Sequence, residues 1–176
     1  TDFDRKDLIG SGTFDKSLGG TAWRLGLTHK LNAQTSLYGQ VSQGHDPVTN
    51  ILTLNLANRN YKLTTARQIE VGLKQQFAQG QGEWTAAAYR IEKKDIITRD
   101  PNNSQLSVQG GKQHSQGLEL SAVMRVSPSW RLEGNYAFVD AKYDQLIEAG
   151  GADRSGNRPS NVARNTANLW AHYTTH

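Results

Sequence analysis

The 176 residues include no cysteine, which excludes disulfides, thiolate zinc sites and cysteine nucleophiles. No stretch approaches the ~20 consecutive apolar residues of a membrane helix. Charge of one sign is missing too: 20 Lys and Arg stand against 16 Asp and Glu, for a net +4. These charges are interleaved along the chain, and a nucleic-acid binder would carry a clustered basic patch instead. Apolar residues are scarce, at 36% against roughly 45–50% for globular chains, and the mean hydropathy is −0.66. Hydropathy alone therefore describes a soluble protein. It says little about β-barrels, because a membrane strand needs only ~9–11 residues with every second one apolar. The opening "TDFDRKDLIG" has neither the charged n-region nor the apolar h-region of a signal peptide. Helical spacing is nearly absent as well, with "YDQLIEAGG" the best candidate helix.

What is present is period-2 alternation, the signature of a strand with two unlike faces. Seven segments carry it: about Thr21–Leu31, Thr35–Gln43, Lys62–Phe77, Glu83–Arg99, Val108–Val126, Trp130–Tyr143 and Ala163–Tyr173. In "GLELSAVMRVSPSWRLEGNYAF" the apolar set is Leu118, Leu120, Ala122, Met124 and Val126, then Trp130, Leu132, Tyr136 and Phe138. Glu119, Arg125, Arg131, Glu133 and Asn135 make up the other set. The connections alternate in length: "NAQ", "AQGQG" and "SPS" are short, while the segments near 45–61, 100–107 and 144–162 are long. In an up-and-down antiparallel sheet, alternate connections lie at the same end. One end then carries tight turns and the other long loops, as in outer-membrane barrels.

A soluble antiparallel sheet is the commoner source of such alternation. Three features favour a barrel wall with lipid on the apolar side and a wet interior on the other. The strands alternate over ten or more residues, where soluble strands run ~5–6. The apolar face is thin and rich in Ala and Gly, a poor fit to two interdigitating sheets. Aromatic residues sit toward strand ends (Trp23, Phe77, Trp84, Trp130, Phe138, Tyr143 and Tyr173), as interfacial girdles do. The expected fold is all-β, an antiparallel up-and-down meander of seven or eight strands forming part of a larger transmembrane β-barrel. The expected lumen-facing charges are Glu70, Lys74, Arg90, Glu92, Glu119, Arg125, Arg131 and Glu133.

Catalytic and metal signals are weak. His29, His45, His114, His172 and His176 show no ligand spacing, so scattered polar histidines explain them better than a metal site. The glycines at 80–82 and 110–111 do not open a helix after a strand, as a phosphate loop would. No G-x-S-x-G elbow occurs. Glu119 and Glu133 are flanked by Arg125 and Arg131, which favours ion pairing over acid–base work. The expectation is a non-enzyme without cofactor.

"TSLYGQVSQGHDPV", "RQIEVGLKQQF", "WTAAAYRIEKKDIITRDPNN", "GKQHSQGLELSA", "LEGNYAFVDAKYD" and "GNRPSNVARNTANLWAHY" follow one another in this order. Together they resemble the barrel of TonB-dependent siderophore receptors of Gram-negative outer membranes, over about Trp23 to Tyr173. The resemblance implies a twenty-two-stranded barrel, an N-terminal plug, and import of a ferric siderophore energised through TonB. Iron would enter only as that ligand. The partners implied are the ferric siderophore, TonB, the receptor's own plug and outer-membrane lipid. Residues 1–176 would then be a partial barrel domain without plug or C-terminal strands, prone to self-association through its open edges. One departure is Ala163, where relatives often carry proline. Arg59, Lys62 and Arg99 lie where long loops begin or end and would suit an anionic or oxygen-rich ligand. The alternatives are another outer-membrane barrel of porin type, or a soluble β-sandwich or lipocalin-like binding module.

Overall fold

A computed structural model of the chain describes residues 2–5, 14–46, 62–100, 102–103, 107–148 and 151–175. Two four-residue strands, β1 (Asp2–Arg5) and β2 (Phe14–Ser17), pair with each other in a small sheet of their own. The strand Asp2–Arg5 thus lies outside the main sheet.

Among the described residues, seven strands make the main sheet: β3 (Trp23–Lys30), β4 (Thr35–Asp46), β5 (Thr64–Phe77), β6 (Gly82–Arg99), β7 (Ser107–Arg125), β8 (Trp130–Gln145) and β9 (Asn165–Tyr173). Each pairs antiparallel with its sequence neighbours, in the order β3-β4-β5-β6-β7-β8-β9. This is the expected meander, and the sheet is open at both edges. The short connections close tightly. Leu31 N–H donates to Thr35 O at 2.9 Å and Val126 N–H to Trp130 O at 3.0 Å. The β5–β6 turn strings together Ala78, Gln79 and Gly80 at φ 50°, 57° and 87°. Glycine takes such angles freely, whereas the alanine and glutamine are held there by the hairpin.

β4 and β8 outrun the expected boundaries at the long-loop end, while β5 and β9 begin two residues later than expected. β4 reaches Asp46, opposite Thr64, and β8 reaches Gln145. The expected helix at "YDQLIEAGG" is absent among the described residues. Its first three residues continue β8, and Ile147 forms a bridge with Asp153. Ladder hydrogen bonds over Tyr143–Gln145 outcompete a helix that could gain barely two turns before glycine ends it. β8 overshoots β9 here, and the segment after it folds back along the exposed edge. Val139 N–H donates to Arg164 O, Tyr143 N–H to Asn157 O and Gly156 N–H to Tyr143 O. The Arg158 guanidinium donates to the carbonyls of Val139 at 2.9 Å and Val162 at 3.3 Å. A side chain therefore caps backbone that β9 leaves unpaired. In the same segment, the Ser155 hydroxyl and amide hold the Asp153 carboxyl below its usual range.

A packed core is nearly missing. Among the described residues only Leu18, Ala141 and Leu146 are buried apolar side chains. Leu27 is 77% exposed, Leu169 79% and Ile69 63%. A water-soluble fold of this size would bury them, gaining about 1.5–3 kcal/mol per side chain.

Candidate functional site

Register assigns every side chain to a face, since directly paired residues share one. One face carries Arg24, Tyr38, Gln40, Gln68, Glu70, Lys74, Glu83, Thr85, Glu119, Ser121, Arg125, Arg131, Glu133 and Asn135. The other carries Leu25, Leu27, Leu37, Val41, Ile69, Val71, Leu73, Trp84, Leu118, Leu120, Met124, Leu132, Phe138 and Leu169. The polar face is the more sheltered one. In β5, Gln68 and Glu70 are half-buried and Gly72 is buried, while Arg67, Ile69 and Val71 are exposed. That is the inverse of a soluble sheet.

The polar face is tied together by side-chain bonds. Tyr38 OH donates to Glu70 Oε1 at 2.9 Å, and Gln68 Nε2 to Glu70 Oε2 at 2.8 Å. Lys74 pairs with Glu83 at 2.9 Å and Arg131 with Glu133 at 2.9 Å. Nearer the long loops, Lys93 lies 3.3 Å from Asp46. The Tyr38 ring lies across Gly72, where a Cβ would come within 2.5 Å of it. Glycine is needed because the tyrosine must lie flat for its hydroxyl to reach Glu70. Tyr38, Thr85, Ala87, Glu119, Ser121 and Asn135 line a shallow groove beside it.

Six of the eight expected lumen-facing charges share this face: Glu70, Lys74, Glu119, Arg125, Arg131 and Glu133. Arg90 and Glu92 do not. Arg90 is opposite Ile69 and Glu92 opposite Arg67, so both belong to the apolar side, and Tyr89 and Ile91 belong to the polar one. The cause is a phase inversion within β6. Its apolar-face positions are Trp84, Ala86 and Ala88 near the turn, then Arg90 and Glu92 above them. Alternation read across that point assigns the two halves of the strand to opposite faces. Tyr143 also lies on the polar face, opposite Gln113. Of the loop-end residues, Arg59 and the Arg99 side chain lie outside what the structure describes. The Lys62 backbone is described: its N–H donates to Gln109 Oε1 at 2.9 Å, and its carbonyl accepts from Gln109 Nε2 at 2.7 Å. No group of three or more metal-ligating side chains comes together among the described residues.

The apolar face ends in a polar belt. Moving toward the long loops from the apolar run of each strand, the first polar side chain beyond it is Gln43 in β4, Arg67 in β5, Arg90 in β6, Gln116 in β7, Asp140 in β8 and Asn165 in β9. Gln43 and Arg67 are partners. Arg90, Gln116 and Asp140 are partners two residues nearer the turns. Asn165, opposite Phe138, is two nearer still. This boundary falls four residues over five strand-to-strand steps. The midline of the apolar band falls five residues over four steps, from Val71 in β5 to the midpoint of Ala167–Tyr173 in β9. About one residue per strand, at ~3.3 Å rise and ~4.8 Å spacing, is a slope of about 35°. A flat apolar slab crossing the sheet at that angle matches strands tilted ~35–45° in an outer-membrane barrel. In β8 the band runs from Trp130 to Phe138, about 26 Å along the strand. Projected through the tilt this is about 22 Å, close to the ~25 Å apolar height of such barrels. At its turn end Trp130 and Tyr173 pack with ring centroids 4.9 Å apart, as an interfacial aromatic pair would.

Comparison with known proteins bears on the same arrangement. A family model described as "TonB dependent receptor-like, beta-barrel" matches residues 1–176. The ferrichrome outer membrane transporter/phage receptor of Escherichia coli is 28% identical over 152 residues, covering 86% of this chain and 19% of that protein. The ferrioxamine B receptor of Salmonella typhimurium is 32% identical over 108 residues, covering 61% of this chain and 14% of that protein. The crystal structure of the siderophore receptor PiuA from Acinetobacter baumannii superposes with a TM-score of 0.76 and 22% identity, over 98% of this chain and 26% of that one. At this identity the likeness is one of fold. The chain spans about a fifth of the length of the curated relatives it matches.

Proposed function

The chain belongs to the TonB-dependent receptor family, within its β-barrel, and on that premise we propose that it forms a section of the wall of an outer-membrane receptor for ferric siderophores. The reading rests most on the slanted apolar band, because a lipid slab cutting across tilted strands accounts for both its slope and its height. Lipid covers Leu25, Val71, Leu118 and Leu169. The polar face looks into the barrel, where Tyr38, Glu70 and Glu119 meet the plug and water. The tight turns lie on the periplasmic side and the long connections outside the cell, where Arg59, Lys62 and Arg99 are candidate contacts for an anionic or oxygen-rich ferric chelate. Iron enters as that ligand, and TonB supplies the energy. The family's transport role leaves this section of wall a binding and positioning task rather than catalysis.

The test is genetic and uses the whole gene. Its deletion should abolish growth on at least one defined ferric siderophore under iron limitation, and the restored gene should recover it. Unchanged growth on every ferric siderophore that supports the parent strain would refute the uptake role.

A further inference from the structure

At the long-loop end, the lead-in to β5 runs out of neighbouring strands. Asp46, opposite Thr64, is the last residue of β4, and Thr65, opposite Lys94, is the outermost β5 residue that β6 pairs. Lys62 nevertheless has both backbone groups satisfied. Its N–H donates to Gln109 Oε1 at 2.9 Å, and its carbonyl accepts from Gln109 Nε2 at 2.7 Å. A carboxamide carries the same acceptor and donor as a peptide unit, so one side chain stands in for the missing strand.

Gln109 belongs to β7, two strands away from β5. Its reach depends on paired irregularities between β6 and β7. Lys93 is opposite Gln113, Ile96 opposite Gly111 and Ile97 opposite Gln109, so β6 carries one extra residue and β7 then carries another. Bulges of this kind re-aim side chains and are common beside functional sites. Within the first lies Asp95 at φ 61°, a left-handed conformation that aspartate tolerates better than most residues. The Asp95 carbonyl accepts from Gln109 Nε2 at 2.9 Å and from the hydroxyl of buried Thr64 at 3.1 Å. The Gln109 side chain therefore fixes the Lys62 backbone against the bulge of β6.

What that backbone presents is a cation. Lys62 is exposed, and among the described residues its ammonium has no ion-pair partner. Lys93, by contrast, is held by Asp46 at 3.3 Å. On the receptor reading above, on which this inference rests, Lys62 stands at the extracellular mouth. We propose that Gln109 is a positioning residue for ligand capture: it holds Lys62 where the ammonium meets the oxygens of an anionic or oxygen-rich ferric chelate. A lysine side chain is flexible and rich in rotamers. Anchoring its backbone beforehand removes part of the ordering cost that binding would otherwise carry.

The test uses the full-length receptor and the ferric complexes of a trihydroxamate, a triscatecholate and a hydroxycarboxylate siderophore. Gln109→Ala should weaken binding of the chelate that the parent takes up by about tenfold, and Lys62→Gln should weaken it by a similar factor. Because Gln109 acts through Lys62, the double variant should bind no more weakly than Lys62→Gln alone. Gln109→Glu keeps the length and the acceptor but turns a carboxylate on two carbonyls, so it should not restore binding. With no chelate present, hydrogen exchange at the Lys62 amide should quicken about tenfold in Gln109→Ala, while the thermal midpoint of the barrel stays level. Unchanged affinity in either single variant, additive losses in the double variant, restored binding in Gln109→Glu or unchanged exchange at Lys62 would each overturn the proposal. A parent that binds a chelate while the variants stay level removes only this inference, whereas a parent that binds none of them removes the receptor reading beneath it.

Discussion

Placing an arginine at chosen depths on the apolar face separates a lipid-facing wall from an exposed soluble sheet. Val71 lies at the centre of the apolar run Leu73–Val71–Ile69 in β5, and its row continues through Ala88 and Leu118 to Phe138. Val71 is 51% exposed, so in a soluble sheet an arginine there would change stability by no more than about 0.5 kcal/mol. In a bilayer it sits near mid-depth, and Val71→Arg should cost about 2–4 kcal/mol, falling to about 0–1 near the interfaces. The slope of the band sharpens the test. Val41 and Gln116 lie in one register row, linked through Ile69 and Arg90. Strand tilt carries Val41 into the apolar slab and lifts Gln116 to its edge. Val41→Arg should therefore cost more than about 1 kcal/mol and Gln116→Arg close to nothing. Thr85→Arg, on the polar face, is the control for insertion of bulk and charge. The assay is denaturant unfolding of the full-length barrel folded into phospholipid vesicles, read by tryptophan fluorescence. Equal midpoints for Val71→Arg and the parent would refute the lipid assignment. Equal costs for Val41→Arg and Gln116→Arg would refute the tilt.

Gly72→Val should displace the Tyr38 ring, break its 2.9 Å bond to Glu70 and destabilise the barrel by about 1–3 kcal/mol. Tyr38→Phe, which keeps the ring, should lose only the hydrogen-bond share, about 1 kcal/mol, and an equal loss for both would refute the packing account. Prepared alone, the 176 residues leave β3 and β9 as open edges beneath an exposed apolar band, and they should self-associate in detergent or buffer. A monodisperse monomer by light scattering would contradict that.

The hairpin from Gly117 to Phe138 was legible because its alternation keeps one phase from end to end: Leu118 to Met124 and Leu132 to Phe138 fall on one face, as the pattern implies. Alternation misleads at Arg90 and Glu92 because β6 outruns the apolar slab: beyond Ala88 the apolar-face positions turn polar, while Tyr89 and Ile91 stand on the polar face. Alternation there loses its meaning, and only pairing with Ile69 and Arg67 fixes the face. The Tyr38–Gly72–Glu70 contact cannot be assembled from either strand alone, since its parts come from β4 and β5. Two local signals pointed to it: a glycine within an otherwise well-patterned strand and a tyrosine among small polar residues. Arg158 was equally hidden. Its task depends on β8 outlasting β9, a difference in strand length that becomes visible only in the ladder. The slant of the apolar band is different in kind. Every residue that defines it is in the sequence, but the slope emerges only once register aligns the strands.

The most direct test of the lipid-inside-out wall is a nitroxide scan of Gly117 to Phe138 in the full-length receptor, reconstituted into bilayers and read by collision with oxygen and with a water-soluble nickel chelate. Oxygen contact should peak at positions 118, 120, 122, 124, 132, 136 and 138. Positions 119, 121, 133 and 135 should be shielded from oxygen in the lipid, with the period of two unbroken across the turn. Nickel contact at positions 118, 120 and 138 equal to that of a water-exposed loop would contradict a lipid-facing wall.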